Sequence, residues 1–136
     1  MNYLKNKCSK IRKNIMEMAM LNNGGHVGPA LSLVEIMVII YERISRINSK
    51  NYKNQNRDRI ILSKGHGCLV LYSILHECKI LSKKTLKTYC KSDSILGGHP
   101  EHFVPGVEAS TGSLGQGLPI AVGSAISARI RKDTFK

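Results

Sequence analysis

Aromatic residues are scarce in this sequence: its 136 residues include no tryptophan, two phenylalanines and five tyrosines. The hydrophobic core must therefore consist mainly of aliphatic side chains, and 42% of the residues are apolar, as in ordinary globular proteins. Acidic residues are also few, nine against 21 lysines and arginines, which gives a formal net charge of +12. This composition excludes a disordered or fibrous chain, and the length predicts one domain over residues 1–136.

Long hydrophobic runs and paired cysteine motifs are missing as well. The best apolar run, residues 31–41, is too short to span a bilayer and is interrupted by Glu35. The N-terminus has no secretory hydrophobic region. The cysteines are widely spaced and form no C-x-x-C pair, so neither a disulfide framework nor a zinc site is indicated (Cys8, Cys68, Cys78 and Cys90). We therefore predict a cytoplasmic protein with reduced cysteines and no membrane segment.

The basic residues fall in four clusters, at residues 5–13, 43–64, 79–91 and 129–136. Residues 92–128 contain neither lysine nor arginine. A basic surface attracts polyanions, so a nucleic-acid-binding protein is one reading of this charge. Solvated lysines on helix faces are the commoner meaning, and the sequence has no helix-turn-helix or aromatic-rich signature. We therefore predict no nucleic-acid partner.

The spacing of apolar residues predicts two helices in the first third of the chain. The first has apolar residues at three- and four-residue steps (Leu4, Cys8, Ile11, Ile15, Met18 and Ala19). The Asn-Asn-Gly-Gly segment at 22–25 ends it, and residues 25–29 are predicted to form a loop. Ser32, with Glu35 three residues later, predicts an N-cap for a second helix. That helix runs to about Arg46 and is apolar on most sides, which predicts burial.

A single strand is predicted, at residues 59–63, where β-branched residues cluster. It leads into a glycine-flanked turn and a helix at 68–80, the strand–turn–helix unit of parallel α/β sheets. Ser82 is predicted to cap a short helix that ends at Tyr89. A long loop at 91–113 and a last helix at 114–131 follow. One strand cannot make a sheet, so any doubly wound domain is incomplete in these residues.

Three of the five histidines lie beside glycine in predicted loops, at His26, His66 and His99. Glycine lets a ligand or a second backbone approach closely, and imidazole can donate, accept or transfer a proton at neutral pH. A structural role is the commoner one for a single loop histidine, but three in one local setting favour a site. His76, within a helix, and His102, in a polar turn, lack this setting and are predicted to be structural.

A glycine-rich segment, residues 110–117, reads Ser-Thr-Gly-Ser-Leu-Gly-Gln-Gly and enters the last helix. Such a loop presents free backbone N–H groups and a positive helix end, which suits a phosphate group. A tight turn before a closely packed helix would use the same residues, and the loop alone does not separate the two readings.

Taken in order, these segments resemble the transketolase family, in particular the N-terminal subunits of split transketolases. The resemblance runs from about residue 8 to residue 131. It rests on five motif segments. These are Gly25-His26-Val27-Gly28, residues 57–66 (which end in Ser-Lys-Gly-His), Gly98-His99-Pro100, Pro105-Gly106-Val107-Glu108 and residues 110–118. The Ser-Lys-Gly-His and Thr-Gly-Ser-Leu-Gly-Gln-Gly segments are specific as an ordered pair. The resemblance implies an α/β fold: the N-terminal portion of a doubly wound, mostly parallel thiamin-diphosphate-binding domain, helix-rich and incomplete here.

The resemblance also implies roles for individual residues. His66 would approach the phosphate and the reaction centre of thiamin diphosphate. Gly112 would line the cofactor through its backbone, and Leu114 by packing. His99 would hydrogen-bond hydroxyl groups of the sugar, and His26 would help to move protons on the acceptor or leaving-group oxygen.

Two departures from the family pattern bear on function. Val27 stands where the family usually has proline, which affects the substrate-side loop. The Gly-Asp-Gly…Asn segment that holds the family's magnesium ion should follow Gly117, and residues 118–136 do not contain it. The resemblance implies thiamin diphosphate and magnesium as cofactors, sugars or sugar phosphates as substrates, and a pyrimidine-binding domain or subunit on the other side of a dimer interface.

Two interpretations of function remain at this point. The chain is the N-terminal cofactor-domain segment of an enzyme that transfers two-carbon ketol units between sugars, and is inactive by itself. Alternatively, it is a catalytically inactive remnant, or a non-catalytic interaction subunit, of such an enzyme.

Overall fold

Helices make up all the regular secondary structure of residues 2–21 and 24–136, the residues that the computed structural model describes. A π-helical turn (Ile40–Ile44) continues the third helix, and a 3-10 turn (Gly65–Gly67) precedes the fourth. The α-helices are α1 (Asn2–Leu21), α2 (Val27–Leu31), α3 (Val34–Ile39), α4 (Cys68–Glu77), α5 (Lys83–Leu86) and α6 (Gly117–Arg131).

The prediction for α1 is confirmed, because its apolar positions form one buried face. Ile11, Ile15 and Met18 are each at most 1% exposed. Asn22 and Asn23, which were predicted to end this helix, lie outside the described residues. Gly24 follows with a φ of +106°, and its N–H donates to the carbonyl of Ala19 over 2.8 Å. A left-handed glycine with this bond closes the helix as expected.

The predicted loop at 25–29 is wrong, because residues Val27–Leu31 form the short helix α2. Pro29 is the third residue of that helix, where its missing N–H would have had no intrahelical partner in any case. The predicted N-cap at Ser32 is also wrong. Its hydroxyl instead donates to the Pro29 carbonyl over 2.9 Å, and α3 begins two residues later without a side-chain cap.

The helix predicted to reach Arg46 ends at Ile44, in a π-helical turn closed by the Ser45 N–H and the Ile40 carbonyl. Its predicted burial is only half right. Met37 and Val38 lie in the core, but Ile36 is 55% exposed. The helix therefore covers the core with one face.

The predicted strand at 59–63 is wrong, because no residue in the described parts of the chain belongs to a β-ladder. A strand requires a row of backbone hydrogen bonds to a neighbour. This segment makes one such bond, from the Arg59 N–H to the Lys136 carbonyl over 2.7 Å. Ile60 and Leu62 still pack against the core, so the apolar residues do bury part of their surface.

Helix α4 is the centre of the core, packed against α1, α2 and α3. Its residues from Cys68 to Leu75 are all buried, as expected for a helix that is apolar on every side. It ends at Glu77, three residues before the predicted end. The predicted cap of α5 is confirmed, since the Ser82 hydroxyl accepts a hydrogen bond from the Thr85 N–H. Helix α5 ends at Leu86, short of Tyr89, and the predicted long loop at 91–113 has no helix.

Helix α6 begins three residues after its predicted start and lies on the surface. Only Gly117 and Ala128 of its residues are buried. An apolar row at four-residue spacing faces outward: Leu118, Val122, Ile126 and Ile130 are 65%, 49%, 55% and 75% exposed. The small and apolar residues of this helix are therefore largely uncovered in the chain by itself.

We expect this row to make the isolated chain self-associate at micromolar concentration, because contiguous exposed apolar surface favours association. Replacing Ile126 with glutamate should shift the chain towards monomer in size-exclusion chromatography with light scattering. Ser127→Glu adds the same charge on the same helix but off the row, and should leave the association unchanged. A wild-type chain that is monomeric under these conditions would contradict the expectation.

Asp58 is a buried carboxylate that joins three separate segments. It accepts hydrogen bonds from the Arg46 backbone N–H over 2.8 Å and from the Lys136 N–H over 3.0 Å, and it pairs with the Arg46 guanidinium at 3.1 Å. The hydrogen bonds and charge of Arg46 lower the pKa of Asp58 to about 2.

This pKa shift predicts a pH-dependent contribution to stability. Because the folded-state pKa lies below the unfolded value, the contribution is present above about pH 4 and is lost as the pH falls through 2. The partner Arg46 is largely exposed, so we expect about 1–2 kcal/mol. Urea denaturation should show that the stability lost in Asp58→Asn is smaller at pH 2 than at pH 5 by this amount. A pH-independent difference would contradict the prediction.

Within the described residues, three basic side chains, those of Lys7, Arg12 and Lys83, pair with acidic ones on another helix. Lys7 lies 3.2 Å from Glu42 and 3.6 Å from Glu77, and Arg12 lies 2.6 Å from Glu35.

None of the helices in the described part of the chain combines the length and the apolar character needed to cross a bilayer.

Candidate active site

Three histidines that are far apart in sequence meet on one surface. The ring centroid of His26 lies 5.5 Å from that of His66 and 6.0 Å from that of His99. His26 immediately precedes α2, His66 lies in the 3-10 turn before α4, and His99 lies in the long loop. The predicted convergence of these three side chains is therefore present in the structure.

The glycine-rich loop lies directly against the segment that carries His66. A Cβ atom at Gly65 would lie 2.5 Å from the Thr111 carbonyl oxygen, so only glycine allows these two backbones to touch. The Thr111 hydroxyl donates to the Leu62 carbonyl over 2.7 Å. At the start of α6, the Gly117 N–H donates to the Ser63 hydroxyl over 3.1 Å. These contacts bring both predicted motifs to one place.

The two residues predicted to line a cofactor lie on this loop in different settings. A Cβ atom at Gly112 would lie 3.6 Å from the His99 ring, so the Gly112 backbone borders the histidine cluster. Leu114 is 76% exposed. The backbone N–H groups of Ser113, Leu114 and Gly115 make no hydrogen bond within the described residues. Three successive free N–H groups form a surface suited to an anion.

Lys64 connects the His66 segment to α2. Its ammonium group donates to the Pro29 carbonyl over 3.2 Å and to the Ser32 hydroxyl over 3.0 Å. Desolvation and the neighbouring charge of Lys64, together with the other two histidines, lower the pKa of His66 below its usual value. The His66 imidazole is therefore neutral at neutral pH and can accept or donate a hydrogen bond.

A layer of buried side chains beneath the cluster was not predicted from the sequence. The Tyr72 hydroxyl donates to the His99 carbonyl over 2.7 Å, and the Cys68 thiol lies 3.1 Å from the Gly98 carbonyl. The Tyr89 hydroxyl lies 2.9 Å from where a Cβ atom of Gly25 would be, next to His26. In a sequence, buried cysteines and tyrosines resemble ordinary core residues. The one available signal was the four-residue spacing of Cys68 and Tyr72, which places both side chains on the same face of α4.

The other two histidines take the structural positions predicted for them. The His76 ring nitrogen Nδ1 lies 2.9 Å from the Leu81 carbonyl, which fixes the end of α4. The His102 ring nitrogen Nδ1 lies 3.2 Å from the Ser110 hydroxyl. Neither belongs to the cluster around His66.

The described residues contain no group of three or more His, Cys, Asp and Glu side chains that could hold a metal ion. The three imidazoles lie together at the surface, with His26 and His99 exposed and His66 partly buried. The arrangement offers imidazole proton donors and acceptors beside a loop of free backbone N–H groups. It is suited to proton transfer on a substrate held next to a phosphate-bearing group.

Comparison with known proteins gives one consistent result. Residues 4–136 match the family described as the transketolase thiamine diphosphate binding domain. One of the subunits of the apulose-4-phosphate transketolase of Actinobacillus succinogenes is 45% identical over 128 residues, covering 93% of this chain and 46% of that protein. The chloroplastic transketolase of Spinacia oleracea is 44% identical over 108 residues, covering 77% of this chain and 15% of that protein.

A crystal structure of transketolase from Campylobacter jejuni superposes with a TM-score of 0.87 at 37% sequence identity, covering 94% of this chain and 20% of that one. The predicted fold class is thereby confirmed: the helices described above form the N-terminal portion of an α/β thiamin-diphosphate-binding domain. The chain spans about half the length of the split-subunit relatives that it matches. Because both the sequence and the fold match, the chain belongs to the transketolase family and forms part of its thiamine diphosphate binding domain.

Proposed function

We propose that this chain supplies the N-terminal part of the cofactor-binding half of an enzyme that transfers two-carbon ketol units between sugar phosphates. The observation that carries the proposal is the meeting of His26, His66 and His99 beside the backbone of Gly112. Both split-subunit relatives are named for an apulose-4-phosphate transketolase, which supports a sugar phosphate as the substrate class.

The site residues fit the diphosphate end of thiamin diphosphate. The free N–H groups of residues 113–115 can donate to phosphate oxygens, and Gly112 leaves room for a ligand beside the His99 ring. Leu114, which is exposed in the chain by itself, offers an apolar side chain for the cofactor to cover. When bound, thiamin diphosphate supplies the carbanion stabilisation that breaks and forms carbon–carbon bonds next to a carbonyl group.

The histidines supply the proton transfers. Neutral His66 can hold a hydrogen bond to a phosphate or to a substrate oxygen near the reacting carbon. His26 and His99, which face outward, can donate and accept protons at the sugar hydroxyl oxygens.

Magnesium does not fit the residues present. The described residues offer no cluster of oxygen ligands, and magnesium requires such ligands in near-octahedral geometry. We therefore expect isothermal titration calorimetry to show no tight magnesium-dependent binding of thiamin diphosphate by this chain, because an unneutralised diphosphate is costly to bind. Submicromolar binding that appears only with magnesium would contradict this prediction.

The exposed apolar row of α6 supports a larger assembly. We expect the surface of Leu118, Val122, Ile126 and Ile130 to be covered by a pyrimidine-binding domain or subunit, or by the rest of the cofactor domain. We also infer that the chain works in an oligomer of like or unlike chains, which the naming of both apulose-4-phosphate transketolase relatives as subunits supports.

The proposed function can be tested in a chimera. Residues 4–136 of this chain replace the matching segment of the Campylobacter jejuni transketolase, which keeps the remainder of that enzyme in place. We expect measurable ketol transfer between sugar phosphates, with the unmodified enzyme as reference. A chimera that has native circular dichroism and binds cofactor but transfers no ketol group would contradict the proposal and favour a non-catalytic subunit.

A further inference from the structure

The backbone around His99 is held from below by two side chains of α4. The Tyr72 hydroxyl lies 2.7 Å from the His99 carbonyl and 3.1 Å from the Gly97 carbonyl. The Cys68 thiol lies 3.1 Å from the Gly98 carbonyl and 3.8 Å from that of Gly97. Two donors on one turn of one helix thus lie within hydrogen-bond distance of three consecutive carbonyl groups.

Both donors are fixed in place by the core. Tyr72 is fully buried and Cys68 is 1% exposed, on a helix whose residues from Cys68 to Leu75 are all buried. Burial raises the pKa of the Cys68 thiol to about 12, and it also raises the pKa of the Tyr72 hydroxyl. Both groups therefore keep their protons and remain donors through the physiological pH range.

The supported segment is otherwise on the surface. His99 itself is exposed, and its ring lies 6.0 Å from the His26 ring and next to the Gly112 backbone. A surface loop without such support would sample several conformations. A histidine that acts on a substrate must be held within a fraction of an ångström of its working position.

We propose that Tyr72 and Cys68 are positioning residues for His99, which fix the carbonyl groups of residues 97–99 so that the imidazole faces His26 beside Gly112. The catalytic consequence of this role rests on the proposed function. The structural consequence, an ordered loop, does not.

The structural consequence is tested by hydrogen–deuterium exchange with mass spectrometry on the full chain. In Tyr72→Phe, which keeps the ring but removes the donor, we expect the two hydrogen-bonded amides that close this loop, those of His102 and Thr111, to exchange about tenfold faster. Exchange in α1 should not change. The matched control is Tyr41→Phe, because the Tyr41 hydroxyl is buried without a hydrogen-bond partner in the described residues. Its removal should leave the loop at the wild-type rate.

The catalytic consequence is tested in the chimera by the same substitutions. Tyr72→Phe should lower kcat about tenfold with little change in KM, and Tyr41→Phe should lower neither. Cys68→Ala should lower kcat, whereas Cys68→Ser, which retains a donor, should recover it.

The positioning role is overturned if exchange of the His102 and Thr111 amides is unchanged in Tyr72→Phe, or if exchange rises equally throughout the chain. It is also overturned if kcat in an active chimera is insensitive to Tyr72→Phe. A parent chimera that is folded and binds cofactor but is inactive, together with faster loop exchange in Tyr72→Phe, would instead refute the proposed function, while the support of the loop by Tyr72 would stand.

Discussion

Replacing His66 with alanine in the chimera is expected to lower kcat/KM by about 100-fold or more, the usual cost of losing a side chain that transfers protons at the reacting centre. His66 is the partly buried member of the cluster, and its ring centroid lies 5.5 Å from that of His26. Its lowered pKa keeps the imidazole neutral to a lower pH than an ordinary histidine. Steady-state kinetics over a range of pH values measures both effects.

The control for this substitution is His102→Ala. His102 is also an exposed loop histidine, but its ring contacts Ser110 and Phe103 and lies outside the cluster. We expect kcat/KM of the chimera with His102→Ala to remain within a factor of about three of the unsubstituted chimera, as for other substitutions that do not contact the reacting groups. If His66→Ala were as active as His102→Ala, the cluster would have no catalytic role.

Replacing Gly65 with alanine should be the most damaging small substitution to the fold of the site. The added Cβ atom would lie 2.5 Å from the Thr111 carbonyl oxygen and 2.8 Å from the Gly112 nitrogen, both of which are backbone atoms. Because the backbone cannot rotate away as a side chain can, we expect a loss of about 3 kcal/mol in the free energy of unfolding. Urea denaturation of the full chain measures this loss.

Gly123→Ala makes the same chemical change where there is space. A Cβ atom at Gly123 would meet no atom within 4 Å, and this residue lies in the interior of α6. Since alanine favours the helix over glycine, we expect a gain of about 0.5–1 kcal/mol. If both substitutions changed the free energy of unfolding equally, the backbones of residues 65 and 111 would not be in close contact.

Local patterns predicted the elements that depend on local interactions. The apolar repeat of α1 and the Ser82 cap of α5 were both predicted, because a helix face and a cap are set by residues within one or two turns. The strand at 59–63 was not correctly predicted. A β-branched run has strand propensity, but a ladder needs a partner strand, and the described residues contain none.

The loop predicted at residues 25–29, where the structure has a helix at 27–31, was wrong for a related reason. Gly28 and Pro29 favour a loop in isolation, yet proline is tolerated in the first turn of a helix, and α2 packs on α1 and α4. Packing against the core therefore outweighed the local preference of these two residues.

The order of the motifs in the sequence was enough to identify the family by resemblance, and that resemblance implied the residues of the candidate site, because glycine-flanked histidines and a glycine-rich helix entrance allow a ligand to approach the backbone closely. Only the tertiary structure decided that His26, His66 and His99 share one surface, and that Tyr72 and Cys68 support it from the core. These contacts join residues 27 to 73 positions apart, and no local pattern encodes such distances.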